Sequence, residues 1–200
     1  MANKQLNHPT HKQLRQHKDA TTTIVLAVVG VLLVLLSAGA LVYLPKAQAQ
    51  VQSAANSLVP VEVNKPGLDV ELTDLQGNPV KFSDYKGQVI LYNSWATWCP
   101  PCKEEMPVLN AYYNDHKAEG FVVIAVEDGQ PIAEVANYVN STGLDFPVWP
   151  DLKWLASETY GITGLPTSFV LDRDFNIRYT WTGAVTRATL EQYVTPLLSE

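Results

Sequence analysis

The first stretch of the chain with a clear pattern has no polar face at all. Residues 24–44 read IVLAVVGVLLVLLSAGALVYL, with no charge and a single serine, Ser37. A core helix of a globular domain keeps one polar stripe, whereas this run is apolar all round. About 20 consecutive apolar residues match the hydrocarbon thickness of a bilayer, so the pattern predicts one transmembrane helix. Residues 45–60 then read as a linker rich in Ala, Gln, Ser, Asn and Pro, and that linker-like composition runs on to residue 66. From 61 to 200, short strand and helix patterns alternate. Residues 68–73 and 80–82 flank Gln76-Gly77-Asn78-Pro79 and predict a short hairpin. Val89-Ile90-Leu91-Tyr92, after Gly87, predicts a buried strand, and 121–126 (FVVIAV) a central strand covered on both faces. Residues 100–119 are mostly helix-forming, with a kink expected at Pro107. Ile132, Val135, Ala136 and Val139 recur at i, i+3, i+4 and i+7, which predicts an amphipathic helix. A short strand over 146–149 and a short helix over 152–159 follow. Residues 168–171 and 177–181 bracket a turn and predict a second hairpin. Ile177, Tyr179 and Trp181 are expected on one face of its last strand. Leu190, Tyr193, Val194 and Leu197 close the chain as a helix. This order describes an α/β sheet covered by helices on both faces.

Charge adds a direction to that plan. The net charge of −6 divides into +3 over residues 1–20 (Lys4, Lys12, Arg15 and Lys18 against Asp19) and −9 over residues 46–200, with 10 basic and 19 acidic side chains. The basic flank of a membrane span stays in the cytoplasm. The expected layout is therefore a cytoplasmic tail over 1–23, a single-pass anchor in the lipid bilayer of the cell membrane over 24–44, a linker over 45–60, and an extracytoplasmic domain over 61–200. A cleavable signal peptide competes, because Ala47-Gln48-Ala49 fits an A-x-A cleavage site. Signal-peptide apolar cores usually run only about 7–15 residues, which favours the anchor. No cysteine lies near the end of the run, so a lipid-modified cysteine there is excluded. So acidic a domain is a poor partner for nucleic acid, which needs a basic footprint. With 46% apolar residues, the chain can build a real core.

The chain has only two cysteines, three residues apart, too few for a disulfide-stapled scaffold. They lie in Ser94-Trp95-Ala96-Thr97-Trp98-Cys99-Pro100-Pro101-Cys102-Lys103-Glu104-Glu105-Met106-Pro107, which follows a predicted strand and opens a predicted helix. Cys99 then meets the unpaired N–H groups of a helix N-terminus, which lower a thiol pKa below the free value of about 8.5. Cys102, one turn later on the same face, can attack a mixed disulfide formed at Cys99. Other chemistries fit less well. Zinc needs two further ligands, and His8, His11 and His17 lie beyond the predicted membrane, leaving His116. Haem attachment needs His at 103, which is Lys. A peroxidatic cysteine would want Pro and Thr or Ser seven and three residues upstream, where Tyr92 and Ala96 stand. A purely structural disulfide seldom spans so short a loop at a helix start. No metal or cofactor is expected.

Trp95-Ala96-Thr97-Trp98-Cys99-Pro100-Pro101-Cys102 closely resembles the active-site motif of the bacterial TlpA/ResA-like thioredoxins, and Gly164-Leu165-Pro166-Thr167-Ser168-Phe169 resembles their cis-proline loop. The resemblance covers residues 61–200. It implies a thioredoxin-like fold with an N-terminal β-hairpin and a central strand-helix insertion. It implies an anchored, extracytoplasmic thiol-disulfide oxidoreductase, often a reductant in cytochrome c maturation, with protein thiol or disulfide substrates and a membrane thiol-relay electron donor. Cys99 becomes the nucleophile and Cys102 the resolving thiol. Trp98 would shield Cys99 and shape a substrate groove beside Pro100, while Trp95 belongs to the core. Pro166 would be cis and would present the backbone of Leu165 to an extended substrate. Glu105 corresponds to an acidic residue that relatives place near the cysteines, where it could tune a thiol or move a proton to Cys102. Its alternative is a solvated helix face, the expectation for Glu104. Three positions depart from thioredoxin: Asn93 stands for a buried Asp, Ser94 for the usual Phe, and Pro100 for Gly. A non-catalytic binding or metal-delivery module on the same fold is the second reading. Copper-delivering relatives usually add a histidine downstream, and none follows His116.

Overall fold

A computed structural model of the chain describes residues 28–32 and 59–200. The chain divides into two units, Met1–Ser53 and Ala54–Glu200. In the first, residues 28–32 are helical, and Val28, Val29, Val31 and Leu32 are exposed. Among the described residues no helix is long and apolar enough to cross a membrane. The predicted tail over 1–23 and most of the predicted span over 24–44 and linker over 45–60 lie outside the described residues.

The second unit is built on one six-stranded sheet of order β1-β8-β7-β4-β5-β6. Its strands are β1 (Val61–Pro66), β4 (Val89–Trp95), β5 (Phe121–Asp128), β6 (Val148–Asp151), β7 (Thr167–Leu171) and β8 (Asn176–Thr182). β4, β5 and β6 run parallel, and β1, β8, β7 and β4 pair antiparallel in that order. The predicted hairpin forms as a separate two-stranded sheet of β2 (Glu71–Thr73) and β3 (Pro79–Lys81). Helices α1 (Pro100–His116), α2 (Ile132–Thr142), α3 (Leu155–Tyr160) and α4 (Arg187–Tyr193) complete the unit.

The two uninterrupted apolar runs form the two parallel strands at the heart of the sheet, every residue of each buried. Side chains alternate across a strand, so each run serves two cores. Val89, Leu91 and Trp95 of β4, with Phe121, Val123 and Ala125 of β5, pack with Met106, Leu109 and Tyr112 of α1, Val135 of α2 and Leu190 of α4. Ile90 and Tyr92, with Val122, Ile124 and Val126, pack on the other face with Phe82, Trp149 and Ala156. The result is the predicted three-layer arrangement of a thioredoxin-like fold.

Several boundaries move, each for a physical reason. Residues 61–66, linker-like by composition, form the edge strand β1; only Val63 is even partly buried, so backbone pairing with β8 makes this strand. The helix expected over 152–159 starts at Leu155, because Trp154 takes φ 59° and the Asp151 carboxylate accepts from Ala156 N at 2.7 Å. The helix expected to reach 119 ends at His116 and finishes as one 3-10 turn before Gly120, at φ 83°. Pro107 lies inside it, on its exposed side. The strand expected over 146–149 is displaced to Val148–Asp151 and tolerates Pro150 because β6 is an edge strand. Ile132 is exposed, leaving Val135 as the buried residue of α2. Ile177 departs from the face of Tyr179 and Trp181. The β7–β8 register shifts there, and one extra residue in a strand reverses the side-chain alternation.

Candidate active site

β4 and β5 are parallel, so both deliver their last residues to the same edge of the sheet. β4 ends at Trp95, and the chain crosses Ala96, Thr97 and Trp98 to enter α1. Cys99 is the N-cap of that helix, with extended backbone, and Pro100 and Pro101 occupy the first helical positions. Proline suits this place, because the first turn has no partner for its N–H groups and proline has none. Cys99 and Cys102 are disulfide-bonded, and Cys102 N donates to Cys99 Sγ at 3.3 Å. The pair is asymmetric. Cys99 borders a cavity of about 440 Å³, which Cys102, fully buried, does not reach.

Trp98, Pro100 and Leu165, the residues expected at a substrate groove, line that cavity. Trp98 is 57% exposed at its mouth, while Trp95 is buried in the core. The Leu165–Pro166 peptide is cis. Pro166 is buried and lies behind the lining, its carbonyl accepting from Gly183 N at 2.8 Å. Cys102, Glu105 and Pro166 are not part of the cavity lining.

Glu105 is buried, so the solvated-face alternative falls, whereas Glu104 is exposed. The reason is phase: Cys102, Glu105, Met106, Leu109 and Tyr112 form the buried face of α1. The Glu105 carboxylate accepts from Asn93 Nδ2 and from Val185 N, both at 2.8 Å. Asn93 Nδ2 also donates to Ser168 Oγ at 3.0 Å, while its Oδ1 has no partner among the described residues. Burial pushes the Glu105 carboxyl up to about 7, against the pull of its two donors.

Two further carboxylates at this edge were not singled out from the sequence. Glu127 is fully buried and accepts from Thr97 N at 3.2 Å and Gln130 N at 3.1 Å, tying the loop before Cys99 to the end of β5. Burial raises it to about 7. Asp128, on the other face, accepts from Ser94 Oγ and Ser157 Oγ, each at 2.6 Å, and burial raises it to about 6. Ser94 therefore fills the place of a core aromatic with a hydrogen bond. The available signal was position: two acids directly after FVVIAV, at the end of a strand parallel to the one that carries the cysteines.

With that geometry in place, the likeness to known proteins is specific. Residues 63–180 match the AhpC/TSA family. The chain is 36% identical over 134 residues to the thiol-disulfide oxidoreductase ResA of Bacillus thuringiensis subsp. konkukian (strain 97-27), covering 67% of this chain and 78% of that one. It is 32% identical over 123 residues to the ResA of Bacillus subtilis (strain 168), covering 62% and 69%. A crystal structure of a thiol:disulfide interchange protein of the thioredoxin family from Chlorobium tepidum TLS superposes with a TM-score of 0.62 at 27% identity, over 69% of this chain and 99% of that one. The chain belongs to the AhpC/TSA family, among its thioredoxin-like thiol-disulfide oxidoreductases.

Proposed function

We propose that this oxidoreductase reduces protein disulfides outside the cytoplasm, held at the membrane by residues 24–44, in an assembly pathway such as cytochrome c maturation. The observation that carries the reading is the asymmetry of the pair: Cys99 meets the cavity and Cys102 is buried behind it. In the reduced protein the Cys99 thiolate attacks one sulfur of a substrate disulfide and expels the other as a thiolate. Cys102 gives up its proton and attacks Cys99 Sγ, releasing the second substrate thiol and closing the Cys99–Cys102 disulfide. Two electrons pass to the substrate, and a membrane thiol-relay donor returns them. Glu105, buried one helical turn beyond Cys102, is the proton acceptor for that second attack.

The direction follows from the donors around Cys99. Pro100 and Pro101 supply no N–H, so Cys102 N is the donor to Cys99 Sγ. A thiolate with few donors makes a less stable reduced form and a more reducing couple. The expected potential is below about −200 mV, and a value near about −120 mV, that of strong oxidants, would refute the direction. Insulin reduction by the purified protein with dithiothreitol tests the activity. Wild type accelerates it, Cys99→Ser does not, and Cys102→Ser retains partners as mixed disulfides. No acceleration by wild type would favour the binding-module reading. A reporter fused after Glu200 should be active only outside the cytoplasm, and cytoplasmic activity would overturn the topology.

A further inference from the structure

The cavity beside Cys99 has a charged wall that disulfide exchange itself does not require. Asp128 is 1% exposed. Both of its hydroxyl donors, Ser94 Oγ and Ser157 Oγ, bind Oδ2, and Oδ1 has no partner among the described residues. Asp128 and Ser157 both line the cavity. A desolvated carboxylate oxygen without a donor is unfavourable alone, and a cationic donor is its strongest partner.

The rest of the cavity suits such a partner. Among the described residues no Lys or Arg lines it. Trp98 and Trp154, 57% and 44% exposed, are both part of the lining. Trp154 has φ 59°, a left-handed conformation that costs a non-glycine residue about 1–2 kcal/mol. It packs against Gly129, where a Cβ would lie 2.6 Å from the indole ring. The fold thus accepts local strain to keep this indole at the cavity, a pattern found where a residue serves a ligand. Indole faces attract cations and cover aliphatic stems.

We propose that this cavity is a subsite for a cationic side chain, Lys or Arg, carried by the substrate within two residues of the cysteine that reacts with Cys99. Asp128 is the counter-ion, Ser94 and Ser157 hold its carboxylate in place, and Trp98 and Trp154 flank the stem of the bound side chain. The assignment rests on the exchange activity proposed above and names the class of disulfide it favours.

The test uses the full chain, reduced, at pH 7.5. Its substrates are peptides whose single cysteine is a mixed disulfide with thionitrobenzoate, bearing Lys, norleucine or Glu at each of the two positions before and after that cysteine. Release of the coloured thiolate gives the rate constants. At one position Lys should exceed norleucine by about tenfold and Glu should fall below it, which corresponds to about 1.4 kcal/mol. Asp128→Asn should bring the Lys-to-norleucine ratio close to one at that position. Trp154→Gly, which relieves the positive φ and leaves the buried carboxylate intact, should lower the same ratio. Equal rates for Lys and norleucine at all four positions would overturn the subsite. So would a Lys preference of the same size at every position and in Asp128→Asn, which marks the domain's general negative charge. Failure of the wild-type protein to react with any peptide would overturn the exchange reading itself, and the subsite with it.

Discussion

Glu105 shows how much a single side chain can depend on its phase in a helix. From composition it is one of two adjacent acids, yet Glu104 points to solvent while Glu105 joins the buried face with Cys102 and Met106. Its two oxygens receive two donors from different segments, Asn93 Nδ2 and Val185 N. A glutamine has one acceptor oxygen where the carboxylate has two, so Glu105→Gln strands one of these donors. The expected loss is about 1–3 kcal/mol in chemical denaturation. Resolution by Cys102 should also slow, read as longer survival of a preformed Cys99 mixed disulfide. Glu104→Gln should change neither, and matching behaviour of the two variants would remove Glu105 from the proton path. Glu127 holds the loop before Cys99 from the end of β5: Glu127→Ala leaves Thr97 N and Gln130 N without their acceptor. It should lower stability by about 1–3 kcal/mol and slow attack by Cys99 on a model disulfide.

At the scale of elements, the parallel pair β4 and β5 was legible because each is buried on both faces and so reads as an unbroken apolar run. Edge positions were less legible, because an edge strand can be held by its backbone without buried apolar side chains. β1 is the clearest case, and its junction with the second hairpin is tight. Gly67 N donates to Phe175 O at 2.7 Å, and a Cβ on Gly67 would meet Leu171 Cδ2 at 2.7 Å and Phe175 O at 2.8 Å. Gly67→Ala must therefore push β1 away from the β7–β8 turn, at a cost of about 1–3 kcal/mol in thermal unfolding. Gly164→Ala, whose Cβ would find Thr182 Cγ2 at 3.7 Å, is the tolerated comparison. Equal melting temperatures for the two would show that the turn yields without cost. Arg173 ties the same turn to the rest of the unit, donating to the carbonyls of Gly87, Glu119 and Leu198.

For the molecule as a whole, the consequence of three buried carboxyls held above their ordinary range is a pH dependence of stability. Burial lifts Glu105 and Glu127 from 4.5 to about 7 and Asp128 from 3.8 to about 6. Between the unfolded and folded values the native state holds more protons than the unfolded chain, so stability falls as pH rises. The contribution is fully present below about 4 and is lost as pH passes through about 6 to 7. The melting temperature of the oxidised protein should fall from pH 5 to pH 8 at constant ionic strength, and Glu127→Gln should flatten the decline. A melting temperature that rises across this range would contradict the burial of these groups in ionised form.

The sequence by itself determined the local facts. Unbroken apolar runs marked the buried strands, proline and glycine marked the turns, and the spacing of Cys99 and Cys102 after a strand and at a helix start marked the redox pair. The resemblance around Pro166 marked the cis peptide that the structure contains. These are statements about neighbours along the chain, where 3.6-residue and 2-residue periods are direct consequences of backbone geometry. Tertiary structure alone decided that Ser94, Ser157 and Asp128 join across three elements. It also decided that the acids at the end of β5 come to the cysteines at all. Burial and a hydrogen bond between residues 34 positions apart, as between Ser94 and Asp128, have no local pattern. They arise only when parallel pairing brings two strand ends to one edge, and there desolvation turns ordinary carboxylates into groups that titrate near neutrality.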